Sequence, residues 1–192
     1  MKKKSFSKKN IYRKKNKNNK GKTKKNQKKT QKKYGGNSGN NNIVSFNNMI
    51  YTGDIDKNGI PNGKGSITYP NGNYYEGDWV NGIKQGKGKM SLIDGTYYDG
   101  DWINDKPHGN GTMTYIGGHI YKGQWENGLK HGKGKFSIAN GNYYEGDFVN
   151  DRRHGWGQFV EVDENGNVIK DYKGMFNDNR PDESSVAYPG LD

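Results

Sequence analysis

Residues 73–89 read NYYEGDWVNGIKQGKGK and residues 142–158 read NYYEGDFVNDRRHGWGQ. Either these glycines cradle a phosphate or the chain has copied a structural unit, and the spacing decides between the two. The pairs Gly63/Gly65, Gly86/Gly88, Gly109/Gly111, Gly132/Gly134 and Gly155/Gly157 recur every 23 residues. A partner motif keeps the same step: Tyr75-Gly77-Trp79, Tyr98-Gly100-Trp102, Tyr121-Gly123-Trp125 and Tyr144-Gly146-Phe148. A fixed period of this length marks a repeat architecture. A phosphate loop would need GxxxxGK[ST], or GxGxxG ahead of a helix, and the chain contains neither.

The copies are a degenerate one at 51–74, full ones at 75–97, 98–120, 121–143 and 144–166, and a partial one at 172–180. The first opens on Tyr51 and Gly53 with Ile55 in the aromatic slot. The last, Tyr172-Gly174-Phe176, follows a longer step containing VDENGNVIKD. Atypical end copies are what a capped array requires. Within a copy, Tyr75, Gly77 and Trp79 lie at period two and share one face of a strand, with Glu76 and Asp78 on the other. Gly86, Gly88, Met90 and Leu92 alternate likewise against Lys87, Lys89 and Ser91. Each copy is therefore two strands. Turn signals fall inside copies at Asn81-Gly82 and Asn127-Gly128, and between copies at Asn71-Gly72, Asp94-Gly95, Gly117-Gly118 and Asn140-Gly141. A three-residue loop at Asp94-Gly95-Thr96 keeps the aromatic faces in phase and predicts Trp102 opposite Gly88, Gly100 opposite Met90 and Tyr98 opposite Leu92. On this reading glycine makes room for rings, and packing is its main purpose.

Tyr-Glu-Gly-Asp-Trp, then Asn-Gly, then Gly-Lys-Gly at this period closely resembles the MORN repeat family over roughly residues 51 to 180. The resemblance implies successive antiparallel hairpins stacked into an elongated, twisted single-layer sheet with a groove. It also implies scaffold, dimerisation or membrane-associated roles, often with proposed phospholipid binding. The expected fold class is all-β: an elongated single-layer antiparallel sheet of stacked hairpins, residues 43–180, between a disordered basic tail at 1–42 and a C-terminal tail at 181–192.

Composition agrees. Hydrophobic residues make up 28% and aromatics 12% of the chain, so any core rests on tyrosine and tryptophan. With no cysteine, disulfide and thiolate chemistry are absent. The net charge of +12 is unevenly placed: residues 1–34 hold 17 of the 32 basic residues and no acid, leaving 15 basic against 20 acidic residues and a charge of −5 in 35–192. The tail has too little apolar surface to offset the entropy of folding. Lys2, Lys3, Lys4, Arg13, Lys14, Lys15, Lys24, Lys25, Lys28 and Lys29 form a candidate polyanion site for anionic lipid, acidic protein or nucleic acid. Its basic runs also fit nuclear import, and a Lys/Asn-rich extension that merely aids solubility is the bland alternative. No apolar run is long enough to span a membrane. Lys2 stands where N-myristoylation needs glycine, and the chain ends GLD without a prenylation cysteine. The expected location is intracellular: cytoplasmic, peripheral to a membrane, or nuclear through the tail.

Candidate chemistry is sparse. His108, His131 and His154 share a slot, but equivalent residues one copy apart are separated by two strands, about 9–10 Å, too far to share a metal. A polar residue beside a turn glycine, as Gln85 is in the same slot, is the plainer reading. Glu76 with Asp78 and Asp99 with Asp101 could suggest paired catalytic carboxylates. They are better read as an outer face opposite Lys87, Lys89, Lys133 and Lys135. No catalytic, cofactor or metal residues are expected. The expected function is a non-enzymatic scaffold whose Tyr/Trp/Gly face meets a protein partner or a second copy as a homodimer; peripheral binding to anionic phospholipid and tail-mediated nucleic-acid association are the alternatives.

Overall fold

The computed structural model describes residues 42–182 and Ser184; the tail assigned to 1–42 lies outside them except for Asn42, as does most of the C-terminal tail. Thirteen strands follow chain order: β1 (Asn42–Phe46), β2 (Met49–Ile55), β3 (Pro61–Thr68), β4 (Tyr74–Val80), β5 (Ile83–Ser91), β6 (Tyr97–Ile103), β7 (Lys106–Thr114), β8 (Ile120–Glu126), β9 (Leu129–Ser137), β10 (Tyr143–Val149), β11 (Arg152–Val162), β12 (Val168–Asn177) and β13 (Arg180–Pro181). Each pairs antiparallel with the next in one open sheet. The fold is the all-β hairpin array expected, with one strand, β1, ahead of the first copy.

The hairpin inside each full copy closes on two residues with positive φ, as a type I′ turn demands. Asn81-Gly82 (φ 51° and 80°) and Asn127-Gly128 (53° and 90°) alternate with Asn104-Asp105 (50° and 65°) and Asn150-Asp151 (49° and 69°). The alternation has a cause one hairpin away. The second turn residue donates its N–H to the carbonyl of residue 61, 84, 107 or 130 in the preceding hairpin. Where that residue is Lys84 or Lys130, its own N–H is accepted by Asp105 or Asp151 at 2.9 Å. Pro61 and Pro107 have no N–H to offer, so glycine suffices in the turns that face them.

The loop between copies corrects the expected register. Leu92 N–H donates to Thr96 O at 2.8 Å and Gly95 N–H to Leu92 O at 3.0 Å. The loop is therefore Ile93-Asp94-Gly95, with the Asp94 carboxylate accepting the Thr96 N–H. The pairing moves by two residues: Trp102 faces Gly86, Gly100 faces Gly88, and Tyr98 faces Met90. Because the slip is two and not one, the faces stay as expected.

The glycines then divide into two kinds. Gly86, Gly109, Gly132 and Gly155 have φ between 57° and 72° and sit in bulges, a conformational requirement that the packing argument missed. Beyond each bulge glycine, a side chain on the neighbouring strand accepts the next N–H: Asp78 for Lys87, Asp101 for Asn110, Gln124 for Lys133 and Asp147 for Trp156. Gly88, Gly111, Gly134 and Gly157 lie under a tyrosine ring, as packing requires. The acceptor changes at the C-terminal end of the described residues. Met175 occupies the acceptor slot, and the Ser184 N–H turns to Asp182 Oδ1. The last strand of the described residues, β13, is two residues long.

One face carries a continuous file of rings. Tyr51, Trp79, Tyr75, Trp102, Tyr98, Trp125, Tyr121, Phe148, Tyr144 and Phe176 meet edge-to-face in succession, with centroids 4.8–5.5 Å apart. Their polar atoms are satisfied: Trp79, Trp102 and Trp125 donate to Gly65, Gly88 and Gly111 carbonyls, and Tyr75, Tyr98, Tyr121 and Tyr144 donate to carbonyls three residues on. The Lys84 ammonium lies over Tyr69, Tyr75 and Trp102, Lys130 over Tyr115, Tyr121 and Phe136, and the Arg153 guanidinium over Tyr144, Phe159 and Phe176. These cations and flanking apolar side chains close the file, leaving Tyr75 and Tyr121 fully buried and Trp102 4% exposed.

Burial holds the phenols protonated. It pushes Tyr51 and Tyr144 up to about 12, with Asp54 and Asp147 adding to the effect, and it raises Tyr75, Tyr98 and Tyr121 as well. An acid whose folded pKa exceeds its unfolded value holds the proton that the unfolded chain has released. Stability is therefore present below the unfolded value near 10 and falls as pH rises through the folded one. Phenolate absorbance and loss of β circular dichroism should appear together between about pH 10 and 12. Phenolate formation at Tyr51, Tyr75, Tyr98, Tyr121 and Tyr144 well ahead of unfolding would contradict the buried file.

Candidate functional site

The expectation that Tyr75, Trp79, Tyr98, Trp102, Tyr121, Trp125, Tyr144 and Phe148 present a face to a partner is corrected by their burial: all eight are at most 5% exposed within the chain's own sheet. They are core. The opposite face is the open one. There the backbones of Gly100, Gly111, Gly123, Gly134, Gly146 and Gly157 floor a groove of about 1010 Å³. These glycines pair across successive strands as Gly100–Gly111, Gly111–Gly123, Gly123–Gly134, Gly134–Gly146 and Gly146–Gly157, forming one line through the array.

Two rows of side chains wall it. On the bulge side, Lys64, Lys87 and Lys133 pair with Asp78, Asp101 and Asp147. On the loop side, Glu76 faces Lys89, Lys89 faces Asp99, and Lys135 reaches Glu145 at 3.2 Å. The carboxylates thus oppose Lys87, Lys89, Lys133 and Lys135, as the sequence suggests. Asp78 and Asp101 do more than cover a surface. Burial pushes each up, but the adjoining lysine and a backbone N–H outweigh it and hold both carboxyls below the usual range. They are occupied as ionised acceptors that seat the bulges. Each exposed ion pair contributes about 0–1 kcal/mol.

The histidine slot also has a local role. Asn62 accepts the Asn81 N–H, Gln85 the Asn104 N–H at 3.2 Å and His108 the Asn127 N–H at 3.4 Å, each capping the next hairpin's turn. His131 Nδ1 is buried and makes no hydrogen bond among the described residues. Among the described residues no group of three potential metal ligands comes together. The tail lysines and Arg13 lie outside the described residues.

Several departures in the groove escaped the sequence reading: Asn110 and Gln124 each lose a charge, and two others change the character of their rows. Lys122 stands where Glu76, Asp99 and Glu145 stand in other copies, and Trp156 stands where Lys64, Lys87 and Lys133 do. The repeat alignment itself carried that signal, since both break a pattern kept in the neighbouring copies.

A stack of hairpins at a fixed period, each contacting its neighbours, defines a solenoid-like repeat protein. The MORN repeat family model matches residues 51–74, 75–97, 98–120, 121–143 and 144–160, more than half of the chain. The chain belongs to the MORN repeat family. This is a non-enzymatic repeat family whose arrays commonly serve as modules of protein or membrane interaction. Comparison with curated proteins gives no match.

Proposed function

We propose that the protein is a non-enzymatic scaffold that holds a protein partner, or a second copy of itself, along the glycine-floored groove. One observation carries the reading: the groove runs unbroken over consecutive copies, so it offers an extended surface and no single enclosed centre for chemistry. A photo-crosslinking residue placed at Thr112, on the groove wall, should give a discrete adduct, and the same group at Ile93, 76% exposed on a loop, should not. An adduct of twice the chain mass identifies a homodimer. Equal labelling at both positions, or none at Thr112, refutes the groove as the binding surface.

The charge division supports a second reading, in which the tail of +17 anchors the scaffold to an anionic membrane while the body of −5 does not. Co-sedimentation with neutral and anionic vesicles, at low and physiological salt, should require residues 1–42. Pelleting of 43–192 alone at physiological salt would assign lipid recognition to the repeats. Nuclear accumulation of a fluorescent fusion of residues 1–42 would turn the tail toward import or nucleic acid instead.

A further inference from the structure

We infer that the groove is built for an acidic, extended polypeptide segment carrying a large apolar side chain, with Lys122 and Trp156 as its two anchors. This rests on the scaffold reading above and names the partner's chemistry.

The argument begins with a broken template. Copies at 75 and 144 read Tyr-Glu-Gly-Asp, and the copy at 121 reads Tyr-Lys-Gly-Gln. Gln124 keeps the structural duty of the aspartate, accepting the Lys133 N–H at 2.8 Å. Lys122 has no such duty. It is exposed, it faces Thr112 on one side and Lys135 on the other, and among the described residues it makes no ion pair. Like charges directly opposite on a sheet destabilise it. The copy thus exchanges two carboxylates for one ammonium at mid-groove, and with Asn110 and Thr112 on the paired strand where β5 has Lys87 and Lys89, one positive charge is left for an anion to complement.

The rest of the lining agrees. Five lysines and two carboxylates line the groove, and Asp101 and Asp147 in the wall bring the balance from +3 to +1, within a body of net −5. Lys87 and Lys133 are tied to Asp101 and Asp147, so among the described residues the charge without an ion pair lies at Lys122 and at Lys173, four strands away on β12. That separation is about 19 Å. Opposite Lys173, the ion-pair row ends in Trp156 beside Met175. A terminal cap would be buried, whereas Trp156 is 51% and Met175 42% exposed. An exposed indole at one end of a positive channel suits an apolar side chain on an acidic strand. From β5 to β12 the channel spans about 34 Å, room for about ten extended residues.

The test uses the full chain and a fluorescein-labelled peptide of about ten residues with alternating glutamates and one phenylalanine near an end. The glutamine version of the peptide is the control for charge. Lys122→Glu should weaken binding at least about ten-fold, and Lys106→Glu, an equal charge change outside the groove, should not. Trp156→Ala should weaken binding and abolish the tryptophan fluorescence response, since the other three tryptophans are buried. The double variant Lys122→Glu/Gln124→Asp restores the template of the neighbouring copies and should lose binding with thermal stability kept or raised. Equal losses from Lys122→Glu and Lys106→Glu would assign binding to the basic tail and overturn the inference. Equal binding of the glutamine peptide, or Lys122-dependent binding of anionic vesicles in place of the peptide, would overturn it too. If the Thr112 adduct persists while the acidic peptide does not bind, the scaffold reading stands and this one falls.

Discussion

Replacing Trp102 by alanine should cost about 3–5 kcal/mol, the range for a buried tryptophan, and split the unfolding of the sheet into two steps. The indole meets Tyr75 at 5.1 Å and Tyr98 at 5.3 Å, both edge-to-face, and its Nε1–H donates to Gly88 O at 2.8 Å. Alanine removes both ring contacts and leaves that carbonyl without its donor. Stability in a repeat array is a sum of local terms and nearest-neighbour couplings, so the break falls between β5 and β6 and uncouples the strands on either side. Urea unfolding followed by circular dichroism should become biphasic. Trp156→Ala is the control, with an expected change within about 0.5 kcal/mol because that side chain is exposed. A single transition shifted by less than about 1 kcal/mol in Trp102→Ala would show that the ring file does not couple the copies.

Gly111→Ala should destabilise nearly as much, for a steric reason alone. Gly111 is absent from the positive-φ positions, so alanine accepts its backbone. The added Cβ, however, would lie 2.5 Å from Cε2 and Cζ of Tyr98. That ring cannot yield, because Trp102 and Trp125 flank it, each at 5.3 Å. Overpacking of this kind costs about 1–3 kcal/mol, and the fixed ring puts the expectation at the upper end. Gly95→Ala separates the two kinds of glycine requirement: nothing lies within 4 Å of its Cβ, but its φ is +91°. There the cost should be about 1 kcal/mol of backbone strain. Tyr98→Phe removes the atom nearest the new methyl and should partly rescue Gly111→Ala. Simple additivity of those two changes would contradict the packing account.

The groove was legible in outline only. Alternation at period two puts Glu76 and Asp78 opposite Tyr75 and Trp79 whatever the register, so the sequence divides polar from aromatic correctly. It does not show which face is open. A single sheet suggests an exposed aromatic side, because nothing in one copy covers it. The covering atoms come from elsewhere: Lys84 reaches the rings of Tyr69 and Trp102, which belong to the copies before and after its own. A slot that reads proline at 61 and 107 and a basic residue at 84, 130 and 153 was the trace of that role. Lys122 and Trp156 were hidden differently, since a pattern sought for its regularity draws the eye from its exceptions.

The sequence by itself determined the 23-residue period, two strands per copy, and the sharing of one face by Tyr, Gly and Trp. Each follows from local chemistry: turn residues that accept positive φ and side chains that alternate along a strand. The tertiary structure decided the cross-strand register, which depends on the Leu92–Thr96 hydrogen bond that closes the loop. It also decided that the aromatic face is sealed and the glycine floor open. That outcome requires cations from one hairpin to lie over rings of its neighbours, a relation that exists only once the copies are stacked.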